Sequence, residues 1–314
     1  MSTPTENSQP APHSTLRRLV ARHPVTTFLI MVYAFGWATL ISADYVGLPF
    51  LLVSSLGVVF GLALPAYLVT AATRGKAGVR DLLGRSLKWR VGVGWYLLAF
   101  LGLPFATLLV AVVFLGATPL EALARNWPLF FTMFLPGILL PLVITHLFEE
   151  AGWTGFMQDA LQDRHGPLLA SVMVAPAFVL FHLPLSFVEA PQVTLAVVQL
   201  ALVQLAVQAI VVVFFRVVIM WLYNGSGRSV LIVALFHSAF NSAGTGSEYA
   251  TGFIKELISG PAALLIPIAV VAVLAVLVAV STRGRLAHER ERATRPVAAG
   301  QAAARPRAQQ PTAS

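Results

Sequence analysis

Long apolar runs alternate with short polar breaks along this chain. Eight runs lie near residues 25–42, 48–72, 94–117, 135–163, 167–188, 193–222, 229–245 and 258–281. A stretch of about 18 apolar residues is long enough to cross a bilayer. Within hydrocarbon a helix satisfies its own backbone groups. The pattern therefore predicts an all-α, polytopic membrane protein of about eight transmembrane helices. Residues 128–163 are too long for one upright helix at about 1.5 Å per residue. Pro136, Gly137 and Pro141 fall inside that stretch and predict a kink or a short interfacial piece. His165-Gly166-Pro167 is a turn signal between the fourth and fifth runs. Gly57 and Gly61 form a GxxxG pair in the second run and predict close helix packing there.

Composition agrees with the pattern. Of the 314 residues, 57% are hydrophobic and 11% charged, whereas soluble domains carry roughly 25% charged residues. The chain has no cysteine, which excludes disulfides, thiolate metal ligands and cysteine nucleophiles. The net charge of +8 is read as lipid-facing and topological, with the bilayer as partner and no nucleic acid. With the N-terminus inside, 18 of the 21 Lys and Arg fall in cytoplasmic segments. That is the positive-inside pattern, and it puts both termini in the cytoplasm. The Ala/Val/Arg-rich composition reads as bacterial, so the expected place is the inner or plasma membrane, as a multi-pass protein.

Three parts follow. Residues 1–24 read as a disordered cytoplasmic tail, polar and Pro/Ser/Thr-rich over 1–16. The first apolar run lacks a small-residue cleavage site and reads as a span, not a cleaved leader. Residues 25–282 form the helical membrane domain, and 283–314 a disordered basic cytoplasmic tail.

A charge at mid-membrane is costly, so ionisable residues inside spans mark function or specific pairing. Here they are His146, Glu149, Glu150, Asp159, His182, Arg216 and His237, with Asn241 as a polar companion. Glu149 lies 16 residues before His165, and His182 lies 15 residues after Pro167. Both are thus roughly 23 Å from the turn along neighbouring antiparallel helices. His237 and Asn241 are four apart and share a helix face, as do Phe178 and His182. Asp159, close to the turn, is expected to be solvated or paired at the interface. His146, one turn before the glutamates, is read first as a partner for a neighbouring helix and second as a fourth polar ligand.

The chemistry of Glu149, His182, His237 and Asn241 suits hydrolysis of a peptide bond. A carboxylate and a neutral imidazole can hold and deprotonate water, while a second imidazole and an amide can donate to an oxyanion. The same His and Glu groups could instead hold a divalent metal such as zinc. HExxH, GxSxG and a GxGD-type aspartate pair are missing from the spans.

The stretch Glu149-Glu150-Ala-Gly-Trp153-Thr154-Gly155 resembles the EExxxR motif of the CPBP family, also called Abi. These are the CAAX-prenyl-protease and bacteriocin-processing membrane endopeptidases. Phe178-Val-Leu-Phe-His182 resembles the family's FxxxH motif, and His237-Ser-Ala-Phe-Asn241 its HxxxN motif. The resemblance covers roughly 130–245. It implies a helical core in which Glu149 and His182 activate water, His237 and Asn241 form the oxyanion site, and Glu150 supports the network. It leaves open a metal-free, glutamate-dependent mechanism or a metal held by His182, His237 and Glu149. The chain departs from the motif at Thr154, where an arginine is expected. Arg216 lies at a matching depth on another helix. It is either a replacement cation or a side chain snorkelling to the interface.

The leading expectation is an intramembrane endopeptidase acting on a membrane-associated or lipid-anchored peptide or protein. Two other classes fit the same pattern. One is a catalytically inactive relative serving as an immunity protein or membrane scaffold, which Thr154 favours. The other is a transporter, which the lack of an evident inverted repeat disfavours.

Overall fold

The computed structural model describes residues 15–46, 48–188, 192–242 and 252–288. The described residues are helical, with no strand among them. Seven helices are long and apolar enough to cross a membrane. In chain order they are α1 (Pro24–Ser42), α2 (Leu52–Ser86), α3 (Val93–Leu115), α4 (Phe130–His165), α5 (Pro167–Phe187), α6 (Leu195–Gly225) and, after a shorter helix, α8 (Ala262–Ser281). The shorter helix, α7 (Val230–Phe240), has 11 residues. At about 1.5 Å per residue it rises roughly 16 Å, half of a 30 Å hydrocarbon core. The run expected over 229–245 is therefore shorter as a regular helix, and its positions 243–245 lie outside the described residues. All of α7 except Leu231 is buried. It is enclosed by α3, α4 and α6.

Local chemistry sets the ends of these helices. Gly166 closes α4 at φ 79°, a left-handed conformation open to glycine, and Pro167 then opens α5 with its fixed φ. Thr194 and Ser229 cap α6 and α7, each side-chain oxygen accepting from a backbone N–H three residues on. The fourth run is longer than its predicted core and shows no break over Phe130–His165. Wide π turns at Phe130–Phe134, Leu142–His146 and Ala151–Gln158 take up the irregularity expected of the proline-rich stretch. The basic stretch after the second run continues as helix to Ser86, with a non-helical residue at Gly75.

Two hydrophobic clusters hold the bundle. One joins α3, the first half of α4, α6, α7 and α8. The other joins α1, α2, the second half of α4 and α5. The α4 helix belongs to both, with Ala151 in the first and Trp153 in the second. Small residues allow the close crossings. A Cβ on Gly61 would stand 2.6 Å from the Gly36 Cα, so Gly61 of the GxxxG pair meets a glycine of α1, while Gly57 faces Leu40.

A polar network ties the α4–α5 end together. Asp159 is 5% exposed and paired, not solvated. It accepts from Arg85 at 3.3 Å and from Arg228. Arg85 also reaches the Gly155 carbonyl at 2.9 Å and the Tyr223 hydroxyl. Two stretches expected in the tails join the fold. Thr15–Arg22 is a helix whose Arg17 Nε donates to the Ala72 carbonyl at 3.0 Å. Leu286 is fully buried, and its carbonyl accepts from Asn224 Nδ2 at 3.1 Å. Residues 1–14 and 289–314 lie outside the described residues.

The Gly36–Gly61 crossing yields a direct expectation. Gly61→Val overpacks a contact that has no room for a Cβ, and should cost about 1–3 kcal/mol. A lowered unfolding midpoint in detergent, with Gly84→Ala (open space around its Cβ) as the silent control, checks it.

Candidate active site

The two glutamates share the single α-helical turn Leu147–Glu150, set between two π turns of α4. They are adjacent in sequence but differ sharply in surroundings.

Glu150 is fully buried and saturated with donors. Its Oε2 accepts from Arg216 Nη1 at 2.8 Å and from the Thr154 hydroxyl one turn on. Its Oε1 lies 2.8 Å from His237 Nδ1. A carboxylate there accepts, so His237 donates through Nδ1 and Nε2 is left as its other ring nitrogen. Three helices, α4, α6 and α7, therefore converge on one carboxylate.

Glu149 is 4% exposed, and its Oε1 has no hydrogen-bond partner among the described residues. That oxygen faces His182 Nε2 at 3.8 Å. The His182 Nδ1 lies 2.9 Å from the Phe178 carbonyl, so Nδ1–H donates to it. Neutral His182 then carries its lone pair on Nε2, toward Glu149. Two acceptors thus face each other at a separation too long for a direct hydrogen bond. His182 sits just past the regular helix Pro167–Phe181, with its side chain 25% exposed. The depths counted from the α4–α5 turn put these two groups level, and they are.

Arg216 is fully buried, so it does not snorkel. Its guanidinium lies 4.6 Å over the Phe178 ring and 5.8 Å from that of Phe215. Thr154, at the position where the motif carries arginine, accepts from Arg216 Nη1 at 3.1 Å. Phe178 in turn packs on Trp153, His182 and His237.

Asn241 is brought in through His146. Its Nδ2 lies 2.9 Å from His146 Nε2, which accepts. His146 Nδ1–H then donates to Ser238 Oγ at 2.7 Å. The His146 and His237 rings stack at 4.2 Å. His146 of α4 thus bonds the polar face of the α7 segment, as its first reading as a partner for a neighbouring helix expects. Its signal was the spacing of three residues to Glu149 and four to Glu150, which places His146 beside each glutamate along the helix surface. Ser238 was missed altogether, being an ordinary helix residue in sequence. The metal set expected from sequence was His182, His237 and Glu149. The described residues instead gather His146, Glu149 and His237, each offering a ligand atom, all within 4.8 Å of one another.

Comparison with known proteins points to the same segment. The family model described as type II CAAX prenyl endopeptidase Rce1-like matches residues 127–243. Every candidate residue of this site lies in that range. The chain is also similar to the CAAX prenyl protease 2 of Methanococcus maripaludis, at 28% identity over 113 residues. That alignment covers 36% of this chain and 41% of the relative. The chain thus matches about two fifths of the relative's length. The three motifs lie within the segment that the family model matches. Both comparisons support the CPBP resemblance carried by the three motifs, and residues 127–243 are similar to its type II CAAX prenyl endopeptidases.

Proposed function

We propose that the protein is an intramembrane endopeptidase that hydrolyses a peptide bond of a membrane-associated or lipid-anchored peptide or protein. The observation that carries the reading is the contrast between the two glutamates. Glu150 is saturated by three donors, whereas Glu149 keeps a buried, unpartnered oxygen 3.8 Å from His182 Nε2.

Two facing acceptors are reconciled by a species with two protons to donate, and water is that species. A water donating to Glu149 Oε1 and His182 Nε2 turns a lone pair outward, toward a scissile carbonyl. As its oxygen attacks, Glu149 takes the proton, a C–O bond forms and the carbonyl becomes an oxyanion. His237, held at Nδ1 by Glu150, donates from Nε2 when it is imidazolium. Asn241 adds its amide, so that both stabilise the oxyanion. On collapse the C–N bond breaks and Glu149 passes its proton to the leaving amine. Proximity to the lipid-facing α5 suits a substrate that reaches the site within or beside the bilayer.

The donor set of His146, Glu149 and His237 is also of the kind that holds catalytic zinc. A divalent metal there would supply Lewis acidity and a more acidic water. Ligation at His146 would replace one of its two hydrogen bonds, to Asn241 or to Ser238. Water activation by Glu149 and His182 breaks neither of these hydrogen bonds, and it is the reading we favour. The prenylated class of substrate named for the relative is one candidate for this chain.

Two outcomes are expected. Glu149→Gln keeps the shape of the site and removes the base, so cleavage falls by at least about 100-fold. A survey of peptide termini in host membranes, wild type against Glu149→Gln at equal expression, checks it; termini unique to wild type also identify the substrate. Matching surveys from folded, abundant protein would favour the inactive relative. The second expectation is that stripping divalent metal with a chelator leaves cleavage intact; loss of cleavage that zinc restores would assign the metal to the site.

A further inference from the structure

We infer that Arg216 is the positioning residue of this site, holding Glu150, and through it His237, from a helix that the glutamate motif does not include. The inference deepens the endopeptidase reading, but half of its test is independent of activity.

The guanidinium has few ways to be stable where it lies. It is fully buried, and among the described residues Glu150 is the carboxylate it pairs with. One nitrogen, Nη1, serves both Glu150 Oε2 and Thr154 Oγ1, at 2.8 and 3.1 Å. The faces of Phe178 and Phe215 cover the rest of the group, while Nε and Nη2 find no acceptor among the described residues. The backbone at this point is fixed as well. Gln158 Nε2 donates to the Arg216 carbonyl at 3.2 Å and to Ser171 Oγ at 2.9 Å, tying α6 to α4 and α5. The side chain is thus aimed from a held backbone at one oxygen of one glutamate.

The consequence reaches the reacting groups. Glu150 Oε1 is the acceptor that sets the ring of His237. With the opposite oxygen bound by Arg216 and Thr154, the carboxyl plane cannot turn without losing all three contacts. Arg216 makes no hydrogen bond or ion pair with Glu149 or His182, so its polar contacts reach the site through Glu150 and Thr154. Thr154 completes the inference. Its hydroxyl already lies at hydrogen-bond distance from the guanidinium. An arginine at 154 in a chain shortened at 216 would therefore reach the same carboxylate from α4. Positions 154 and 216 are two routes for one cation.

The test exchanges the two residues in the full chain. Arg216→Met, Arg216→Lys, Glu150→Gln, Glu150→Gln/Arg216→Met and the swap Thr154→Arg/Arg216→Thr are compared with wild type. Each is read by unfolding midpoint in detergent and by the abundance of termini found only with wild type. Loss of a buried partner should lower the midpoint of Arg216→Met by about 5–10 °C. Its termini should fall by about 100-fold. The swap should recover most of both, and Arg216→Lys part of both. In the double variant, Glu150→Gln should add little to the loss from Arg216→Met, because the two residues act as one unit. An unchanged midpoint in Arg216→Met, or additive losses in the double variant with no recovery in the swap, would overturn the inference. Should Arg216→Met not accumulate as folded protein, recovery of folded protein by the swap is the deciding readout. If wild type itself yields no termini, the endopeptidase reading fails, and the unfolding data alone decide for or against Arg216.

Discussion

A carboxylate shut away from water has to be matched by donors that the fold itself supplies, and Glu150 is the carboxylate around which this bundle is arranged. Its three donors come from three helices. Removing one partner of a buried pair typically costs about 3–5 kcal/mol, because the other charge is left unmatched. The requirement explains features that look unrelated. It accounts for an arginine in the C-terminal third of an apolar α6, and for a threonine one turn after the glutamates. It also gives a use to the Phe178 ring, which lies under the guanidinium.

Once Glu150 is saturated, its neighbour can be left open. Adjacent residues on a helix point about 100° apart, so Glu149 faces α5 while Glu150 faces α6 and α7. The π turns on either side of Leu147–Glu150 insert extra residues into the helical circuit and set where each carboxylate aims. One carboxylate is thereby structural in its contacts and the other chemically available. Two equivalent acids in this position would both need compensation, or both lack it.

Much of this was legible in the sequence wherever the chain carried its own ruler. The Gly166-Pro167 turn let Glu149 and His182 be placed at one depth by counting residues, and they meet at 3.8 Å. The same counting put Arg216 level with Thr154, and the two are bonded. Depth along a helix is a one-dimensional quantity, and a sequence records it. Rotation about the axis and choice of neighbour are not recorded that way. Which glutamate would be saturated depended on partners 66 and 87 residues away. His146 was read as bonding a neighbouring helix, but which one was not recorded, since its partners Ser238 and Asn241 come from the α7 segment. Leu286 looked like the start of a solvated tail because nothing in a basic, Ala/Pro-rich stretch signals that one residue folds back to meet Asn224.

The donors to Glu150 come from α4, α6 and α7, whereas the group opposite Glu149 comes from α5. The α5 helix presents Leu168, Leu169, Val172, Met173 and Leu180 to its surroundings, at the outer face of the bundle. The charge-compensating part of the site is therefore enclosed by protein, while the Glu149–His182 gap has one wall on a helix whose outer side chains are exposed and apolar. A displacement of α5 would change the Glu149–His182 spacing without breaking a hydrogen bond to Glu150, so the two halves of the site answer to different parts of the bundle.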